Sequence, residues 1–232
     1  KKHSYNQSMK IMDNQFGGTK FMTVLFEGDC KEPEFLKRLD YYEQELVKMN
    51  EVGSVTSMAK VIKIMSKALN DKGNAQYNQI PEKREAIAQY LELYSMNGDP
   101  DDFESLINFD HTQTLMNIQF QASDMKTLNK VIDKVKQLTQ NDPSKKVTSG
   151  YCLRDKEMAE AITKGQINSL IFAFLAILIL LILIFRSINA GFIGILPLLF
   201  AVICTFGIMG FTGIKLNIVT ALLSSISIGV GV

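Results

Sequence analysis

Apolar positions recur along this chain with two different periods before giving way to unbroken apolar runs. Residues 19–27, TKFMTVLFE, are rich in β-branched and aromatic side chains and predict a strand, closed by Gly28-Asp29. Pro33 suits the first turn of a helix, and Phe35, Leu39, Tyr42, Leu46 and Met49 then follow at helical spacing. Residues 52–58 predict a second strand. The clearest alternation lies in residues 109–122, where Met116, Ile118 and Phe120 point one way and Asn117, Gln119 and Gln121 the other. Ser123 is placed to cap a helix whose apolar row is Met125, Leu128, Val131, Ile132, Val135 and Leu138. Asn141-Asp142-Pro143 stops that helix, and residues 147–153 predict a fourth strand.

The order is strand–helix–strand, then strand–helix–strand. Two such split βαβ units predict an α+β domain of the ferredoxin-like arrangement. Residues 59–108 read as an inserted helical region. Within it Pro81 opens a helix carrying Ile87, Leu91 and Tyr94, which Gly98-Asp99-Pro100 ends. No linker follows the last strand, and residues 155–166 run straight toward the apolar half.

From residue 169 onward the only charged side chains are Arg186 and Lys215. Residues 170–185, LIFAFLAILILLILIF, are slightly short of a bilayer span, and the preceding helix-compatible segment supplies the missing turn. Arg186-Ser187-Ile188-Asn189 makes a polar break, residues 190–211 form a second span, residues 212–217 a second break, and a third span begins near 217. These runs do not alternate, so the prediction is a bundle of transmembrane helices at about 169–185, 190–211 and 217–232. Pro197 fits either a packing kink or a moving hinge. Glycines 191, 194, 207, 210 and 213 allow close helix approach.

The third span carries a polar stripe. Asn217, Thr220, Ser224, Ser227 and Gly231 fall on one side of a helix, with Ser225 and Gly229 in a row beside them. Lipid solvates such a stripe poorly, so it should face other helices. Hydrogen-bonded packing is the commoner use of this pattern, and a water-accessible path for ions or substrate is the alternative.

Composition sharpens the division. The whole chain of 232 residues has 25 Lys+Arg and 24 Asp+Glu. Removing Arg186 and Lys215 leaves residues 1–168 with 23 basic and 24 acidic groups, a charge-balanced soluble domain. A wholly soluble protein is excluded. Nucleic-acid binding as the main role is excluded too, because no basic stripe exists to neutralise phosphates. There is no GxxxxGK[ST] loop, no GxGxxG after a strand and no HExxH, so no cofactor is implied. His3 and His111 are too far apart to suggest a metal site, and His111 is expected on the sheet. Asp99, Asp101 and Asp102 read as a solvated turn rather than a cation site. Without a nucleophile–base or metal constellation, enzymatic activity is not expected. Cys30 and Cys152 follow or end the first and fourth strands, whose C-terminal ends lie at opposite edges of the expected sheet, so no bond between them is expected; Cys204 counts as a small apolar residue. A start at Lys1 and an end inside an apolar run are read as a fragment cut from a longer protein.

The stretch LNIVTALLSSISIGVGV at 216–232, preceded by GILPLLFAVICTFGIMGFTGI at 194–214, resembles the resistance–nodulation–division superfamily. It is closest to the hydrophobe/amphiphile efflux branch related to the mycobacterial large membrane proteins. FGGTKFMTVLFEGD at 16–29 is similar to the opening strand of that branch's first porter domain. The resemblance implies that the three spans are the family's second, third and fourth. It also implies that residues 1–168 lie on the extracytoplasmic side of the cell membrane, with Arg186 inside and Lys215 outside, an assignment the positive-inside rule leaves tied. Members of this branch export lipids or other hydrophobic molecules, driven by proton entry. The implied partners are membrane lipids, a hydrophobic or lipid cargo, the remaining half of the transporter and a possible second copy. In the family an Asp-Tyr pair directly follows GVGV; this chain ends at Val232, so the relay acid is not assigned. Ser225 and Gly229 are expected to pack around the relay without carrying the proton.

Two other readings are weighed. Sec-associated translocation subunits share the superfamily fold, but the insertion at 59–108 and the SSISIGVGV wording argue against them. A membrane-anchored lipid-sensing scaffold, resembling sterol-sensing helices, would need no relay acid.

Overall fold

The computed structural model describes residues 4–97, 105–121, 125–213 and 220. It divides into two units, Lys1–Leu153 and Arg154–Val232. Helix α1 (Ser4–Gln15) leads into β1 (Lys20–Glu27), α2 (Pro33–Val47), β2 (Val52–Thr56), α3 (Met58–Leu69) and α4 (Arg84–Asn97). Then come β3 (Gln113–Phe120), α5 (Met125–Thr139) and β4 (Lys145–Ser149).

The strands form one antiparallel sheet in the order β2-β3-β1-β4. β1 is central, with Lys20 opposite Phe120 on β3 and Thr23 opposite Ser149 on β4. Side chains alternate across the pleat, so Met22, Val24 and Phe26 of β1 join Met116, Ile118 and Phe120 of β3 on one fully buried face. That face is closed by Leu36, Leu39 and Leu46 of α2 and by Val131, Ile132 and Val135 of α5. Each such side chain contributes about 1.5–3 kcal/mol by leaving water, so the two helices and the sheet face depend on one another.

Several boundaries differ from the sequence reading. The strand predicted over 52–58 ends at Thr56, because Ser57 is the N-cap of α3 and accepts the Ala59 amide at 3.2 Å. The strand predicted over 109–122 is shorter, Gln113–Phe120. His111 lies in the turn before it with φ +56, off the sheet, and Asn108 holds that turn by accepting the amides of Thr112 and Gln113, both at 2.8 Å. The last strand starts and stops earlier than 147–153: Gly150, at φ +147, breaks it and Tyr151 already begins a helix. The insertion is only partly helical, since turns occupy 71–83 and Pro81 stands ahead of α4. Met125 is exposed, leaving the apolar row of α5 to begin at Leu128. The cap at Ser123, the stop at Gly98-Asp99-Pro100 and the aspartates at 101 and 102 lie outside the described residues. Cys30 and Cys152 are both buried and form no disulfide with each other; the Cys152 thiol meets the Phe21 carbonyl near the start of β1, whereas Cys30 follows its end.

The lead-in to β1 is a backbone-on-backbone crossing. Gly53 stands at an irregularity of the β2–β3 register, and a Cβ added there would sit 2.0 Å from the Gly17 oxygen. Gly18, at φ +129, lies as tightly on the backbone of Phe120. Only glycine allows either approach.

The second unit contains α6 (Tyr151–Phe185), which begins just before it, and α7 (Ile188–Phe211). At about 1.5 Å per residue the 24 residues of α7 reach about 36 Å, enough to cross a bilayer. Phe172, Leu183 and Ile184 of α6 and Ile193, Phe200 and Ile203 of α7 are exposed, as lipid contact requires. The break between the helices is tighter than the sequence predicts. Only Arg186, at φ +48, and Ser187 lie outside helix, and the Ser187 hydroxyl accepts the Ala190 amide.

Candidate functional site

Charged and polar groups gather in three places, two in the first unit and one in the membrane hairpin. The most developed is a groove of about 560 Å³ between α2, β2 and α3. Its walls include Asp40, Glu43 and Val47 of α2, Val55 of β2, and Lys60, Lys63 and Ile64 of α3. Asp40 and Lys63 form an ion pair at 2.9 Å across it. Glu43 sits on the buried side of α2, between Leu39 and Leu46, with 7% of its surface exposed. Ser57 hydrogen-bonds the carboxyl through its hydroxyl and its backbone, and Oε1 has no partner. Burial pushes the Glu43 carboxyl up to about 7, with Ser57 opposing that rise and the nearby Asp40 adding to it. A signal for this residue exists in the sequence: a glutamate spaced four from Leu39 and three from Leu46 falls on the apolar stripe of its helix.

The second place is a knot around Asp142, at the end of the loop that stops α5. Its carboxylate accepts from the Tyr42 hydroxyl at 2.9 Å and from the Ser144 amide and hydroxyl at 2.9 and 2.6 Å, and it pairs with Arg38 Nε at 3.1 Å. Burial works against ionisation here, yet the hydrogen bonds and the Arg38 charge outweigh it and hold the carboxyl below its usual range. Burial, then the bond to Asp142, pushes Tyr42 up to about 12. The Tyr42 ring stacks on Phe26 at 6.0 Å. This arrangement ties α2 to the α5–β4 loop and is structural. No group of His, Cys, Asp and Glu able to hold a metal occurs among the described residues.

The third place is the membrane hairpin. Gly191 packs on Ile182, and Gly194 faces Leu181 and Phe185. Thr205 satisfies its hydroxyl on the Ala201 carbonyl at 2.8 Å. Pro197 lies inside α7 without ending it, and its missing N–H leaves the Ile193 carbonyl without that helical partner. Of the polar stripe expected on the third span, Thr220 is helical and half-buried, while Asn217, Ser224, Ser225, Ser227, Gly229 and Gly231 lie outside the described residues.

A mixed α+β unit with an antiparallel sheet is followed along the chain by two helices long and apolar enough to cross a membrane. The MMPL family profile matches residues 36–232, and the chain belongs to the MMPL family. That family is part of the resistance–nodulation–division superfamily. It is also similar to the candidate membrane protein MJ1562 of Methanocaldococcus jannaschii, 26% identical over 235 residues. That alignment covers 94% of this chain and 57% of the relative, so the chain spans little more than half of that protein's length.

Proposed function

We propose that this chain is part of a secondary transporter that exports lipids or other hydrophobic and amphiphilic molecules, driven by proton entry. The first unit is a ferredoxin-like porter domain on the extracytoplasmic side of the cell membrane, and its cargo is a membrane lipid or lipid-like amphiphile. The single observation that carries this reading is the family match, which runs from α2 of the sheet unit through both apolar helices to Val232. We assign the transport path to Asn217, Thr220, Ser224 and Ser227, and to Ser225 and Gly229 a supporting role near the proton relay without carrying the proton. Protonation in the bundle moves the helices, and α6 carries that motion to the porter domain, which opens and closes around cargo. The remaining half of the transporter, and a possible second copy, complete the assembly.

The test is efflux of a lipid or dye by the intact protein in vesicles with an imposed pH gradient. Export should stop when a protonophore collapses the gradient. Continued export at an unchanged rate would refute proton coupling.

A further inference from the structure

The groove between α2 and α3 holds a buried acid and a basic residue that are not yet paired. Glu43 presents one carboxyl oxygen with no hydrogen-bond donor, although nine-tenths of the residue is buried. Its other contacts come from Ser57 at the N-terminus of α3. Lys60, one turn further along α3, donates to the Val55 carbonyl at 3.1 Å, and among the described residues no carboxylate lies within ion-pair distance of it. The remaining charges nearby are committed: Asp40 to Lys63 at 2.9 Å, and Lys48 to Glu45. From α2, then, Asp40 faces Glu43; from α3, Lys60 and the Ser57 donors do; β2 contributes the Val55 carbonyl.

We propose that Glu43 and Lys60 form a proton-operated latch in this groove. With Glu43 protonated, Lys60 stays on the Val55 carbonyl. When Glu43 gives its proton to solvent, the buried carboxylate needs a cation, and Lys60 crosses to it and frees the carbonyl on the edge strand β2. Two features favour the crossing. A buried ionised carboxylate lacking one hydrogen bond is costly, whereas a carbonyl beside an open groove can be taken over by water. Lys60 already lies near enough for its charge to favour the ionised form of Glu43, and its flexible stem can exchange one acceptor for the other. Burial sets the switching point near neutrality, since the carboxyl is pushed up to about 7. The latch is separate from any proton path through the membrane, and its test involves no gradient and no transport.

The full chain in detergent micelles, labelled with 13Cδ glutamate and, separately, 13Cε lysine, is titrated from pH 5 to 9 by NMR. One glutamate signal should titrate near 7 and vanish in Glu43→Gln. The Lys60 signal, identified by its loss in Lys60→Met, should move with the same midpoint and stay still in Glu43→Gln. In Lys60→Met the Glu43 midpoint should rise further, because the ionised form loses its partner; this variant tests the pairing even if Glu43→Gln does not fold. A Glu43 signal that titrates below pH 5, a Lys60 signal that ignores it, or a midpoint unmoved by Lys60→Met would each overturn the proposal.

Discussion

Replacing Gly53 with alanine puts a methyl group where the backbone of Gly17 already stands. The added Cβ would lie 2.0 Å from the Gly17 oxygen and 2.1 Å from its Cα, against an ordinary contact of at least 3.4 Å. The lead-in to β1 must therefore retreat by about 1.4 Å. That segment is held by Gln119, whose side-chain amide donates to the carbonyls of Phe16 at 2.9 Å and Gly18 at 2.8 Å. Losing both bonds costs about 1–3 kcal/mol, and overpacking costs about 1–3 kcal/mol more. The expected destabilisation is about 3 kcal/mol or greater. Thiol labelling reads it directly, because Cys152 and Cys30 are buried near the two ends of β1. In a Cys204→Ala background, labelling that requires unfolding should accelerate roughly 100-fold at both sites. Acceleration at Cys152 alone would report local fraying of the lead-in. Gly73→Ala, at a position with nothing within 4 Å of the added atom, is the control and should change little. A Gly53→Ala chain whose labelling rates stay within threefold of the parent would refute the steric argument.

The remaining predictions concern charge and the membrane hairpin. Between about pH 4.5 and about 7 the folded chain holds a proton on Glu43 that the unfolded chain has lost, so this group makes stability fall as pH rises through that window. Glu43→Gln should remove the slope and, at pH 8, raise stability by up to about 3 kcal/mol in denaturant melts at pH 5 and 8. Asp142 acts with the opposite sign: its depressed carboxyl contributes stability above the ordinary carboxylate range and loses it as pH falls through the folded value. Asp142→Asn should cost about 2–3 kcal/mol at pH 7, and progressively less below pH 4, in the same melts. Gly191→Leu should separate α6 from α7, since even a Cβ there would meet Ile182 Cγ1 at 2.5 Å. A disulfide engineered between positions 181 and 194 should then form at least fivefold more slowly.

Legibility in the sequence followed how local the physics was. The alternation of Met116, Ile118 and Phe120 and the spacing of Leu39, Tyr42 and Leu46 mark faces that are buried, because each pattern is set by the geometry of a single element. Ends were less visible. Thr56 passes into α3 because Ser57 caps it, and a serine at the end of a β-branched run suits a strand equally well. Gly150 ends β4 through its positive φ, which no spacing announces. Helix α1 was not anticipated at all, since SYNQSMKIMDNQ has no strong apolar stripe. Asp142 was legible as a helix stop, but its partners Arg38 and Tyr42 lie a hundred residues away and meet it only once α2 and α5 share the sheet. Glu43 could have been found as a charge on an apolar stripe. The absence of a donor for its second oxygen could not, because that depends on α3 folding over it.

The two-residue turn at Arg186 and Ser187 has a consequence for how the protein is made. A connector that short gives α7 no slack, so once α6 is in place the next residues synthesised must turn back beside it, as the packing of Gly191 on Ile182 requires.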